Sequence, residues 1–236
     1  MDVSVDDIAQ AIAFYQALFG WDIEVGGPEV GGYSIAHKNG RVVAGVGPKM
    51  GSPDQPSAWM TYLATDSADQ TADLIRAAGG QLFAEPADVM EQGRMAVAAD
   101  PAGAVFGLWQ GGLTTGIGLA NEPGSLCWNE QLSSDFDGSK AFYQAVFGYG
   151  YQGIGEYPYA MLMIGEHEVG GIGQRDGQPG WFTYFGVNDT DEGLALALSL
   201  GGGVIRPAWD SEYGRMATLA DDQGAVFSLV SALPVT

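Results

Sequence analysis

Cysteine is nearly absent. Cys127 is the one copy in 236 residues, so no disulfide can form within the chain, and a reducing cytoplasm is the expected setting. Basic residues are also scarce: 9 Lys plus Arg stand against 29 Asp plus Glu, a net charge of −20. Charge of that sign repels phosphate backbones and anionic headgroups, which argues against nucleic acid and membrane surfaces as partners. No run of about 18 apolar residues reads as a membrane span. Asp2, Asp6 and Asp7 stand where a secretory leader would carry basic residues. Neither a G-x-x-x-x-G-K-[ST] loop nor a G-x-G-x-x-G turn from strand to helix occurs. The 37 glycines are therefore expected in turns, helix ends and close sheet contacts.

What the chain does have is repetition. AFYQALFGW at 13–21 returns as AFYQAVFGY at 141–149. GRMAVAADPAGAVFGLW at 93–109 returns as GRMATLADDQGAVFSLV at 214–230, identical at 11 of 17 positions. Between them WMTYLATD at 59–66 echoes WFTYFGVND at 181–189. A duplicated unit of roughly 115 residues explains these offsets. It divides the chain into a first module at 1–112, a Gly-rich linker at 113–124 and a second module at 125–236.

Within each module the periodicity reads as α+β. Residues 6–20 have the spacing of a short amphipathic helix, capped by Asp6 or Asp7 and ended by Gly20. Asn39-Gly40 between 33–38 and 41–46 is a two-residue hairpin signal. A strand is expected at 58–64, then a helix capped by Asp66 or Ser67 and ended by Gly79-Gly80. A strand at 81–83, a loop at 84–88 and a hairpin over 95–109 turning at 100–103 complete the module. The second module opens with a strand at 126–132. The first has only residues 1–5 in the matching place, so its first strand is expected to be truncated or missing.

The FYxxxFG helix, the hairpin and the closing D-P-x-G-x-x-F hairpin, in that order over nearly the whole chain, resemble the vicinal oxygen chelate superfamily. The nearest likeness is to tandem glyoxalase/bleomycin-resistance/dioxygenase-like proteins. That resemblance implies paired βαβββ modules whose curved sheets form a cup around a small-molecule site, with the helices outside. Catalytic members hold a divalent ion through His, Gln or Glu on the first, middle and last strands, at about 2.0–2.2 Å. Carried over residue by residue, those positions hold Trp128, Trp59, Trp181, Gly107 and Ser228, with the remaining first-strand position falling before Met1. None is a usual ligand, and His37 and His167 lie in the hairpin regions. The resemblance therefore implies a fold without its metal, and no cofactor is expected.

Alternation places Thr61 beside Trp59, Glu130 beside Trp128 and Thr183 beside Trp181 on the ligand face. Across the closing hairpins, Gly107 is expected opposite Ala96 and Trp109 opposite Arg94, with Ser228 opposite Ala217 and Val230 opposite Arg215. Tryptophans over small residues would make a slot for a flat ligand, or would simply fill the volume of the lost metal site. Arg94 and Arg215 would clamp an anionic group or pair with Glu130 and Asp2. Glu130 is the candidate general base.

The leading expectation is a metal-free protein that sequesters or carries a small aromatic ligand. A metal-independent enzyme using Glu130 is the alternative, an inert filled scaffold a third reading, and a metal-dependent lyase or dioxygenase the least supported. A homodimer is expected if a missing first strand leaves a sheet edge for another chain to cover.

Overall fold

The computed structural model describes residues 1–49 and 54–232. The order strand, helix, then three strands occurs four times among them, twice in each sequence half. The first copy is β1 (Asp2–Val5), α1 (Ile8–Phe19), β2 (Asp22–Glu24), β3 (Ser34–Lys38) and β4 (Arg41–Pro48). The second is β5 (Ala58–Met60) with β6 (Tyr62–Ala64), α2 (Ala68–Ala77), β7 (Gln81–Val89), β8 (Gly93–Ala99) and β9 (Val105–Gly111). The third is β10 (Leu126–Ser133), α3 (Phe136–Phe147), β11 (Gly150–Gly153), β12 (Tyr159–Ile164) and β13 (His167–Gln174). The fourth is β14 (Gly180–Gly186), α4 (Thr190–Ser199), β15 (Gly203–Ser211), β16 (Gly214–Ala220) and β17 (Val226–Ser231).

Local chemistry sets these boundaries. Asp7 caps α1 by accepting from the Gln10 N–H, and Gly20 closes it at φ 65°. Ser67, Asp135 and Asp189 cap α2, α3 and α4 in the same way. Asn39 and Gly40 both take positive φ, 54° and 71°, which is what a tight hairpin between β3 and β4 requires. Residues 84–88, expected as a loop, instead continue β7, whose pairing with β8 shifts register twice between Leu82 and Ala87. Pro86 is tolerated there because β7 lies at the end of its sheet and uses one edge only.

By contact the chain forms two compact units, each drawn from both sequence halves. Unit 1 is 1–60, 117–127 and 183–236, and unit 2 is 61–116 and 128–182. In unit 1 the strands run β2-β3-β4-β1-β5, and separately β14-β17-β16-β15. The first strand is present as the four-residue β1, parallel to β4 and antiparallel to β5. Both its edges are paired, so the open edge on which the dimer expectation rested is closed within the unit. In unit 2 the orders are β6-β9-β8-β7 and β11-β12-β13-β10.

Each unit buries its own apolar core beneath its helices. In unit 1 it gathers Phe14, Tyr15, Phe19, Trp21, Trp59, Phe185 and Phe227. In unit 2 it gathers Phe106, Leu108, Phe142, Tyr143, Leu162 and Ile172. No helix among the described residues is long and apolar enough to cross a membrane.

Candidate functional site

The residues that resemblance placed at the middle-strand metal positions turn inward to the helices. Trp59 is 9% exposed, packs edge-on against Tyr15 and Phe185 and donates its indole N–H to Tyr15 Oη at 3.0 Å. Tyr15 Oη in turn donates to Asp221 Oδ2 at 2.8 Å. Unit 2 repeats the chain of bonds: Trp181 Nε1 to Tyr143 Oη at 2.9 Å, and Tyr143 Oη to Asp100 Oδ2 at 3.1 Å. Burial pushes both tyrosine hydroxyls well above their ordinary pKa. Of the two readings of Trp59 and Trp181, slot walls or filled volume, their packing fits the second: each heads a Trp–Tyr–Asp relay whose tyrosine and aspartate are buried. Thr61, between β5 and β6, and Thr183 of β14 are both buried, and Thr61 Oγ1 donates to Asn129 Oδ1.

The closing hairpins also pair differently from the expectation. β8 and β9 are joined by five residues, Asp100 to Ala104, because the Asp100 carboxylate accepts from the Ala104 N–H at 2.9 Å and holds that residue in the turn. Gly107 therefore lies opposite Val97 and Trp109 opposite Met95. The equivalent loop from Asp221 to Ala225 puts Ser228 opposite Thr218 and Val230 opposite Met216. One added residue turns every side chain to the other face. Arg94 and Arg215 consequently face the helices and not a slot. Arg94 pairs with Asp69 and Asp88 at 2.9 and 2.8 Å, and Arg215 with Asp191 and Asp210. The ion-pair expectation holds with different carboxylates from Glu130 and Asp2.

Away from the helices a different constellation appears. In unit 2, Tyr159 Oη accepts from Trp128 Nε1 at 2.9 Å and donates to Glu130 Oε2 at 2.9 Å. Its ring lies across two glycines of β13. A Cβ at Gly171 would come 1.9 Å from Tyr159 Oη, and one at Gly173 2.6 Å from the ring, so both must lack side chains. Unit 1 carries the same design: Tyr33 lies across Gly45 and Gly47, its hydroxyl and Asp2 Oδ1 both crowding the Cβ position of Gly45. Tyr33 and Tyr159 escaped the sequence reading. Their signal was there, a tyrosine followed 12 and 14 residues on by glycine, once in each half. Also in unit 2, Tyr62 lies against Gly107 and edge-on to Trp109.

The donors at the metal positions do not suit a divalent ion. The Trp59 and Trp181 indoles are spent on tyrosines, Gly107 has no side chain, and the Ser228 hydroxyl bonds Thr218 at 2.9 Å. Among the described residues no three His, Cys, Asp or Glu side chains converge. Cys127, half-buried with its thiol pushed up by burial, has no ligand role.

Asp100 makes a pH signature. Burial raises its pKa above the ordinary carboxylate value, outweighing the hydrogen bonds it accepts. Between its unfolded value and that raised native value the folded chain holds the extra proton. Stability from this group is therefore greatest below that window and falls as pH rises through it. Urea midpoints across about pH 3–7 should show this slope in the parent chain and not in Asp100→Asn. Identical pH profiles would overturn the assignment.

Residues 1–108 match the sequence family described as Glyoxalase/Bleomycin resistance protein/Dioxygenase superfamily. CFP32 of Mycobacterium tuberculosis, provisionally named a glyoxylase, is 39% identical over 99% of this chain and 94% of its own length. The anthracycline biosynthesis protein DnrV of Streptomyces peucetius is 35% identical over 97% of this chain and 90% of its own. Among solved structures, the Mn(II)-bound glyoxalase from Novosphingobium aromaticivorans superposes with a TM-score of 0.67 at 18% identity, covering 98% of this chain and 80% of the other. The 2,2',3-trihydroxybiphenyl 1,2-dioxygenase of Sphingomonas wittichii gives 0.61 at 14% identity, covering 98% and 88%. At such identities these two likenesses concern the fold alone.

Proposed function

The chain belongs to the glyoxalase/bleomycin resistance protein/dioxygenase superfamily, and from that premise we propose that it is a member that binds a small aromatic molecule without a metal ion. Fold alone leaves lyase, oxygenase and binding roles open. The observation that carries the binding reading is the Trp128–Tyr159–Glu130 cluster on its glycine floor. A half-buried indole and phenol offer flat apolar faces, and the carboxylate accepts a hydrogen bond from a ligand hydroxyl. The relative named for anthracycline biosynthesis points to fused, hydroxylated aromatic rings as the ligand class.

Doxorubicin, whose own fluorescence reports binding, is the probe. Wild type is expected to bind it equally with and without chelator. Trp128→Ala should weaken it about tenfold, the loss of one stacking face, while the urea midpoint barely moves because Trp128 is only partly buried. Unchanged affinity in Trp128→Ala would remove the cluster from the site.

A second reading has one observation behind it. Glu130 is 8% exposed and accepts a hydrogen bond from the Tyr159 phenol, an arrangement suited to metal-independent acid–base chemistry on a carbonyl or polycyclic substrate. Turnover that survives chelator and disappears in Glu130→Gln would favour it over simple binding.

A further inference from the structure

We propose that Arg206, Trp209, Thr218 and Ser228 of unit 1 form a binding site for planar aromatic carboxylates. All four share one face of the β15-β16-β17 ladder: Arg206 pairs with Thr218, Thr218 with Ser228, and Trp209 with Met216. The buried Leu219, Phe227 and Leu229 of the helix-covered core, with the buried Ala217, occupy the opposite face. The Arg206 guanidinium carbon sits 3.7 Å from the Trp209 ring centroid. One flat side of the guanidinium is thereby held on the indole while its N–H edges stay available.

Three observations mark this cluster as more than packing. The first is charge. Five of the nine basic residues, Arg41, Lys49, Arg76, Arg94 and Arg215, are ion-paired. Arg206 is exposed and among the described residues has no carboxylate within ion-pair distance, in a chain of net charge −20. The second is the comparison between the repeats. β7 has the same two register shifts as β15, and there Ala84 and Ala87 fill the places of Arg206 and Trp209. The irregular strand therefore needs neither the cation nor the indole. The third is the hydroxyl pair: Thr218 Oγ1 and Ser228 Oγ, 2.9 Å apart, replace Val97 and Gly107 of unit 2. A guanidinium edge binds a carboxylate in two-pronged fashion, the hydroxyls add donors and acceptors for an ortho substituent, and Trp209 with Met216 supplies an aromatic-facing surface.

The test is calorimetric titration with salicylate and with salicylamide, which keeps the ring and phenol but not the charge. Wild type is expected to bind salicylate more tightly than the amide. Arg206→Gln should lose about tenfold for salicylate and leave the amide unchanged, with Arg206→Lys in between because it keeps charge without the planar fork. The exposed position of Arg206 leaves the fold intact, which thermal melting of each variant checks. Equal binding of acid and amide by wild type, no binding of salicylate at millimolar concentration, or full salicylate affinity in Arg206→Gln would each overturn the proposal. None of these outcomes depends on how doxorubicin behaves with Trp128→Ala.

Discussion

Trp59→Ala is expected to lower unfolding stability by about 3–5 kcal/mol, the range for removing a large aromatic from a packed core. Two losses combine. The ring leaves a void among Tyr15, Trp21 and Phe185, each of which it meets edge-on. The buried Tyr15 hydroxyl also loses the indole N–H as its donor. Trp181→Ala removes the matching bond to Tyr143 from a less buried ring, so its loss should be smaller. Urea unfolding at fixed pH measures both. A Trp59→Ala midpoint equal to wild type would contradict the buried relay and return that indole to a ligand slot.

Asp221→Ala should match or exceed that effect, again about 3–5 kcal/mol, because one carboxylate satisfies three donors, two of them buried. Its Oδ1 accepts from the Gln223 and Ala225 N–H groups at 2.9 and 2.8 Å, and its Oδ2 from the Tyr15 hydroxyl at 2.8 Å. Of these Tyr15→Phe removes only the last, though it also takes the acceptor from the Trp59 N–H, and it should cost about 1–2 kcal/mol. Combining the two in a double-mutant cycle should show strong non-additivity, since the second change removes a group the first has already orphaned. Additive losses would mean that the hydrogen bond contributes nothing of its own and that the aspartate acts through the turn alone.

Much of the fold was legible because it is written in short-range chemistry. Asp7, Ser67, Gly20 and Asn39-Gly40 each act on their neighbours within a few residues, and each boundary falls close to where those residues put it. The duplication was legible as direct repetition, and the family resemblance followed from it. Which side of a strand faces the helices was not legible, since it turns on a single residue in a loop. Ala104 and Ala225 carry no turn signal of their own; they are held by aspartates whose second oxygens are committed to tyrosines far away in sequence. Missing that bond moved Arg94 and Arg215 to the wrong face. It also hid the fact that Trp59 belongs with Tyr15, because a relay over 44 residues leaves no periodic trace. Glu130 and Trp128 kept company as expected, but the tyrosine that joins them is 29 residues from one and 31 from the other.

The partition into units has a consequence for how the chain is made. All of unit 2 lies between residues 61 and 182, so every strand and helix it needs has emerged from the ribosome before unit 1 is complete. Tyr15, by contrast, waits for an acceptor 206 residues downstream. At about 5–20 residues per second that is roughly 10–40 s. For most of that interval Phe19 and Trp21 lack Phe185, and for all of it Phe19 lacks Phe227, rings that later pack against them. The earliest-made segment is the last to find its core, and a nascent chain held short of Phe227 would leave that aromatic cluster open to chaperones or to neighbouring chains.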